Sequence, residues 1–255
     1  MKLKNILFTF VMVFTGLISA NNHSSPYVPT NYAMEALQCN FSDGKDMDDV
    51  MKVLEDWKDI SDENQYAYNA WTLTPLYYSE SDVPFDFGWM GYTPNMEEMG
   101  RVQDSFQEVG QSVMNKWNRV TDCSGQSLFR VFEARAPQNE FTEGQIGYMS
   151  ISSCSLIEGK TADDLEESDK VWNAYNDKNG FSGGVYRWWP GPGTPTDADF
   201  DFYLAIGFES VEQMGRGRDM RMEGMINDTR PESILNCDTP RVYQTQNIRL
   251  VTQEG

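Results

Sequence analysis

Along residues 45–60, KDMDDVMKVLEDWKDI, apolar side chains return every third or fourth place. Val50, Val53, Leu54 and Trp57 fall at i, i+3, i+4 and i+7, which paints one face of a helix. Asp48 and Asp49 crowd its first turn, where negative charge favours the helix dipole. The preceding stretch, YAMEALQCNF at 32–41, has a mixed alternation and runs into the turn Ser42-Asp43-Gly44, so it predicts a strand. YAYNAWTLTP at 66–75 is aromatic and Thr-rich and predicts a second strand, ended by Pro75. FDFGWMGY at 85–92 predicts a third strand. Asn95 then opens a second helix that turns Met96, Met99, Val102 and Phe106 inward, and SLFRVFEAR at 127–135 predicts a closing strand.

The same order is written again 115 residues later. EEMGR at 97–101 answers EQMGR at 212–216, and FDF at 85–87 answers FDF at 200–202. Cys39 meets Cys154, Gly44-Lys45 meets Gly159-Lys160, Trp57 meets Trp172 and Pro75 meets Pro190. Across residues 39–101 the shifted sequence is identical at 17 of 63 positions without a gap, so the chain is an internal repeat of a unit of about 110 residues. Beyond the second helix the spacing slips by one: Cys123 meets Cys237 and Arg135 meets Arg249. The second copy predicts strand 145–157, helix 161–177, strands 181–190 and 199–208, helix 210–224 and strand 240–250.

Both copies therefore read β-α-β-β-α-β, the order of the ferredoxin-like motif. The fold class expected is α+β: two tandem ferredoxin-like units, 32–137 and 145–252, joined by a linker at 138–144. One such unit leaves a sheet face bare, and a sheet rich in Trp, Tyr, Phe and Met must cover it. Two linked copies can pack face to face. In this the chain resembles the dimeric α/β-barrel superfamily, fused in tandem. That superfamily includes antibiotic-biosynthesis-type monooxygenases, haem-degrading enzymes, muconolactone isomerases and stress-responsive barrel proteins. The resemblance rests on element order and duplication over about residues 32–250, and no active-site motif points to one branch.

Four cysteines, Cys39, Cys123, Cys154 and Cys237, allow three pairings. The repeat and the adjacency of first and last strands favour Cys39–Cys123 and Cys154–Cys237. A metal site lacks the close Cys-x-x-Cys spacing. Disulfides require an oxidising compartment, and the first twenty residues predict export. Lys2 and Lys4 precede an apolar run from Ile6 to Ile18 that ends in Ser19-Ala20, the layout of a signal peptide over 1–20, followed by a tail at 21–31. An uncleaved anchor is the competing reading, although the run is short for a membrane span. The expected location is periplasmic or extracellular. Sequons stand at Asn22, Asn40 and Asn227.

Charge narrows the partners. Asp and Glu number 39 against 20 Lys and Arg, a net charge of −19 that cleavage would take to −21. Such a chain repels phosphate backbones, so nucleic acid is not an expected partner. No stable membrane insertion is expected after cleavage. A monomer with an internal pseudo-dimer is expected.

The only histidine is His23, in the tail. This leaves no Ser-His-Asp or Cys-His arrangement, no core histidine for haem and no histidine-rich zinc site. No cofactor and no metal are expected. DADFD at 197–201 spaces carboxylates like the start of a calcium loop but puts Phe202 where glycine belongs; a loop entering a strand is the alternative. Met99 and Met214 read as core. Gly100 and Gly215 read as points of close helix-to-sheet approach, and Arg101 and Arg216 as partners of Glu97 and Glu212 at i, i+4.

The candidate ligand site is the sheet face turned away from the helices. Tyr66, Tyr68 and Trp71 in the first copy, and Tyr186, Trp188 and Trp189 in the second, could hold a small apolar or aromatic molecule there. The loop WWPGPGTPTD at 188–197 could shape its rim. The expected function is binding of such a ligand. The alternatives are a cofactor-independent enzyme of the monooxygenase or isomerase kind, and a structural or interaction protein whose aromatics fill the barrel as a solid core.

Overall fold

The computed structural model describes residues 31–251; the expected signal peptide, His23 and Asn22 lie outside the described residues. The chain runs β1 (Asn31–Phe41), α1 (Met47–Glu63), β2 (Asn69–Tyr77), β3 (Phe87–Thr93), α2 (Met96–Val109), α3 (Gln111–Val120) and β4 (Thr121–Arg135). It continues with β5 (Ile146–Leu156), α4 (Asp164–Lys178), β6 (Val185–Pro190), β7 (Phe202–Phe208), α5 (Val211–Ile226), β8 (Leu235–Cys237) and β9 (Arg241–Arg249).

Local chemistry sets the helix starts. Asp46, Asn95 and Ser210 each place a side-chain oxygen on a free amide of the first turn, those of Asp49, Glu98 and Gln213. The predicted stripe of α1 is buried at Val50, Val53 and Leu54. Gly44 (φ 71°) and Gly159 (φ 82°) make the left-handed turns that leave β1 and β5.

The strands form one antiparallel sheet in the order β7-β6-β4-β1-β3-β2-β9-β5-β8, and β7 also pairs with β5. That last pairing closes eight strands into a barrel, with β8 as a short extension beside β5. The first half contributes β4-β1-β3-β2 in sequence, and the second contributes β6-β7-β5-β9. The halves were expected to meet face to face. They do share an interior, where Met34, Leu73, Met90 and Val131 pack with Ile151, Trp188, Ala205 and Tyr243. They also meet edge to edge: β4 pairs with β6 and β2 pairs with β9. The physical reason is that an open sheet leaves rows of unpaired amides and carbonyls at its edges, and closure removes them.

Each seam is pinned by a buried arginine from the last strand of one half. Arg249 donates to the carbonyls of Tyr66 (2.8 Å) and Tyr68 (2.7 Å) and to the Asp62 carboxylate (2.7 Å). Its repeat counterpart Arg135 donates to the Phe181 carbonyl (2.8 Å) and the Asp177 carboxylate (2.7 Å). Each half thus satisfies carbonyls of the other.

Cys39 is bonded to Cys123 and Cys154 to Cys237, as the repeat favours. The closing strand begins at Thr121 rather than 127, so Cys123 lies within β4, directly opposite Cys39. Helix α3 is absent from the predicted elements, although Val113, Trp117 and Val120 carry its buried face at helical spacing. No helix among the described residues is long and apolar enough to cross a membrane.

Two outcomes follow from these links. Cys39→Ser/Cys123→Ser opens a cross-link spanning 84 residues and lowers stability by about 4 kcal/mol, read from denaturant midpoints. Arg249→Met strands buried carbonyls and lowers stability by about 3 kcal/mol. The exposed Arg216→Met changes it by less than about 0.5 kcal/mol; equal effects of the two arginine variants would refute the seam role.

Candidate functional site

One mouth of the barrel is open. There the interior core gives way to a cavity of about 240 Å³, at the end where β1, β2, β5 and β6 begin. Trp71, Met90 and Tyr92 line it from the first half, and Tyr186 and Met149 from the second. Trp71 stands edge-on to Tyr92 (ring centroids 5.3 Å, 89°) and to Phe141 (6.4 Å, 80°). Trp71 and Tyr186 occupy the same position of the repeat, so the two copies present one aromatic each to the same space.

The polar groups of the cavity are few. Tyr32 and Glu133 reach it from β1 and β4, and Glu133 sits across the β4–β6 seam from Tyr186. Among the described residues no donor is bonded to the Glu133 carboxyl group, and burial raises its pKa above the ordinary carboxylate value. Burial also raises the Tyr32 and Tyr186 phenols, with the Glu133 charge adding to the effect in each. Tyr92 lies well above its ordinary value, first through burial. Among the described residues no lysine or arginine lines the cavity. The arrangement suits a small neutral molecule with a flat apolar body, with phenols to donate and one carboxyl group to accept.

Of the six aromatics singled out in the sequence, two meet at this cavity: Trp71 and Tyr186. Trp188 also points into the barrel but lies in the filled part, packed on Phe129 at 6.4 Å. Trp189 points the opposite way and packs on Phe202 at 4.9 Å, because neighbouring residues of a strand face opposite sides. Tyr66 and Tyr68 precede β2 and lie in the helix-side core. The Tyr66 hydroxyl contacts that of Ser105 at 2.8 Å. Tyr68 donates to Glu35 (2.5 Å) and accepts from Trp89 (2.9 Å). Gln103 (2.7 Å) and Gln126 (2.6 Å) bond the other Glu35 oxygen, so this buried carboxylate is fully partnered. Burial raises its pKa, and these hydrogen bonds oppose the rise. Glu133 carried no motif; its only signal was its place on an inward strand position, once the true register is known.

Other singled-out features have structural uses. The loop at 188–197 packs on the far end of β4, where the Leu128 amide donates to Pro192 (2.8 Å), and does not rim the cavity. Asp201 accepts from the Leu156 amide as Asp86 does from the Phe41 amide, both at 2.8 Å. The repeated FDF therefore ties a strand end, and no metal-ligating cluster exists among the described residues. A Cβ on Gly100 or Gly215 would meet nothing within 4 Å, so these glycines are not sites of close approach. Arg101 pairs with Glu98 rather than Glu97, while Arg216 pairs with Glu212.

Haem, used by some proteins that the chain resembles, does not fit this mouth. A space of about 240 Å³ is too small for the macrocycle, and among the described residues there is no histidine, all four cysteines are in disulfides, and no base in the cavity could face propionates.

No protein-family model matches the sequence. A search of the curated proteins found no match. Solved structures with the same fold do exist. A protein assigned as chlorite dismutase TA0507 superposes with a TM-score of 0.52 at 12% identity, covering 86% of this chain and 96% of that one. A protein assigned as a monooxygenase from Fusobacterium nucleatum gives 0.52 at 6% identity, with 90% and 97% covered. A haem-binding protein from Thermus thermophilus gives 0.48 at 8% identity, with 88% and 96% covered. At these identities the likeness is one of fold: the dimeric α/β barrel.

The raised pKa of Glu133 has a measurable sign. The folded chain holds this proton more tightly than the unfolded chain, so the carboxyl group costs stability as pH rises above its ordinary value of 4.5. Glu133→Gln removes that cost. The variant should match wild type in stability at pH 4 and exceed it at pH 8; an unchanged difference across that range would refute the assignment.

Proposed function

We propose that this chain binds a small, neutral, flat apolar or aromatic molecule in the open mouth of its barrel. The carrying observation is the cavity itself: three rings, Trp71, Tyr92 and Tyr186, around a space that holds one unpartnered carboxyl group and, among the described residues, no base. At about 240 Å³ it lies just under the usual range for drug-sized ligands, so the ligand is small. Glu133 accepts a hydrogen bond from a hydroxyl or ring N–H of the ligand.

The layout proposed around this site is a signal peptide at 1–20, a tail at 21–31, ferredoxin-like units at 32–137 and 145–252, and a linker at 138–144. The mature chain works as a monomer, its halves taking the place of two subunits, in the periplasm or outside the cell. The two disulfides and the repeated strand order support this reading.

Glu133 favours a second reading, a cofactor-independent enzyme of the monooxygenase or isomerase kind. A carboxylate with a raised pKa in an apolar pocket can take a proton from a bound substrate, and a neighbouring phenol can donate to the oxygen on which charge develops. A solid barrel core is disfavoured by the cavity.

Equilibrium dialysis of the oxidised chain against 2-naphthol and naphthalene tests the binding. One saturable site is expected for each, with 2-naphthol the tighter. Tyr186→Trp fills the mouth and should abolish both; Glu133→Gln should remove the advantage of the hydroxyl. Absence of a saturable site, or binding indifferent to Tyr186→Trp, would overturn the proposal. Chemical change in the recovered probe would support the enzyme reading.

A further inference from the structure

The two halves also enclose a space between helices and sheet, and there they differ. In the first half Glu35, Leu37, Trp89, Gln103 and Phe106 surround a gap of about 160 Å³. Moving each position on by 115 residues gives Ser150, Ser152, Leu204, Arg218 and Arg221. Those five residues line a cavity of about 320 Å³ between α5 and the outer face of β5 and β7. It runs on past Leu204, Ile206 and Arg221 into a recess of about 200 Å³ beside α4. The space in the first half is covered by α3 through Val113, Met114 and Trp117. The second half has no such helix; an irregular segment at 227–234 takes its place and brings Arg230 to the cavity.

Where the first half has a buried carboxylate, a glutamine and a phenylalanine, the second thus has a serine and two arginines. Among the described residues Arg218, Arg221 and Arg230 have no ion-pair partner. The Arg221 guanidinium lies over the Phe181 ring at 5.4 Å. Burial lowers its proton affinity and the Arg218 charge acts in the same direction, so an added negative charge would relieve both. Arg187, in the recess, is already paired with Asp169. Asp219 and Glu223 are exposed on α5 and line neither space. Three arginines with no ion-pair partner among the described residues line this one cavity, Arg218 and Arg230 at exposed positions and Arg221 half-buried, in a chain of net charge −19. Around them stand Leu204, Ile206, Phe208, Met222 and Met225.

We propose that this second cavity binds an amphipathic carboxylate, its head held by Arg218, Arg221 and Arg230 and its apolar body laid against the outer face of β5 and β7. Guanidinium is suited to a planar carboxylate because its paired N–H groups match the two oxygens. This site lies on the helix side of β5 and β7 and takes an anion, whereas the barrel mouth takes a neutral molecule; Phe208, near the end of β7, borders both.

Isothermal titration calorimetry of the full oxidised chain with octanoate, octanol and inorganic phosphate tests the proposal. Octanoate should bind once per chain, about tenfold or more tighter than either comparator, and should weaken as salt rises. Arg221→Phe and Arg218→Gln restore the residues of the first half. Together they should weaken octanoate about tenfold or more, with both disulfides and the circular dichroism unchanged. Arg230→Gln, at an exposed position, gives the same direction of change if the double variant does not fold. Tyr186→Trp, in the other cavity, should leave octanoate binding intact. Octanol binding as tightly as octanoate, indifference to the arginine changes, or loss on Tyr186→Trp would each overturn the proposal.

Discussion

Closure of the sheet upon itself is the constraint from which the rest of this molecule follows. Each half alone would expose the backbone of β2 and β4, or of β6 and β9, to water. Paired as β4–β6 and β2–β9, those edges vanish. Arg135 and Arg249 complete the seams by carrying the last strand of each half into the helix layer of the other. A buried guanidinium is costly unless its donors are satisfied: carbonyls of the opposite half take most of those of Arg249, whereas Arg135 has one carbonyl and the Asp177 carboxylate and leaves its Nε without a partner among the described residues. The exchange is reciprocal, so neither half can be finished without its neighbour.

Closure also decides where ligands can go. Inward side chains of both halves meet in one interior, and the residues at its open end cannot fill it. Trp71 and Tyr186 come from equivalent positions and converge only because the barrel is closed. Glu133 and Tyr186 are partners across a seam that does not exist in an isolated half. The proposed aromatic site is therefore a property of the joined molecule.

The helix layers have no such symmetry to obey. In the first half Trp57, Trp89 and Trp117 pack around a partnered Glu35, and α3 covers them. In the second half the covering helix is missing and arginines replace the sealing residues. The same backbone thus presents a neutral aromatic mouth and, on its flank, a cationic recess.

The repeat, the cysteine pairing and the element order apart from α3 and β8 were legible from residue spacing, because they depend on local periodicity and on a nearly constant shift of 115 residues. Val50, Val53 and Leu54 on α1 and Met99 on α2 were found in this way. What failed was the facing of single aromatics. Trp188 and Trp189 were grouped together, yet a pleated strand must separate them. Tyr66 and Tyr68 were assigned to a strand that begins only at Asn69. Spacing within the chain by itself determined the internal repeat and the pairing of its cysteines. Tertiary structure alone decided that the halves join at their edges, which side chains share a cavity, and that Glu133 stands unpartnered among rings. Those outcomes depend on strand register and on contacts between residues far apart in sequence, and no local pattern encodes them.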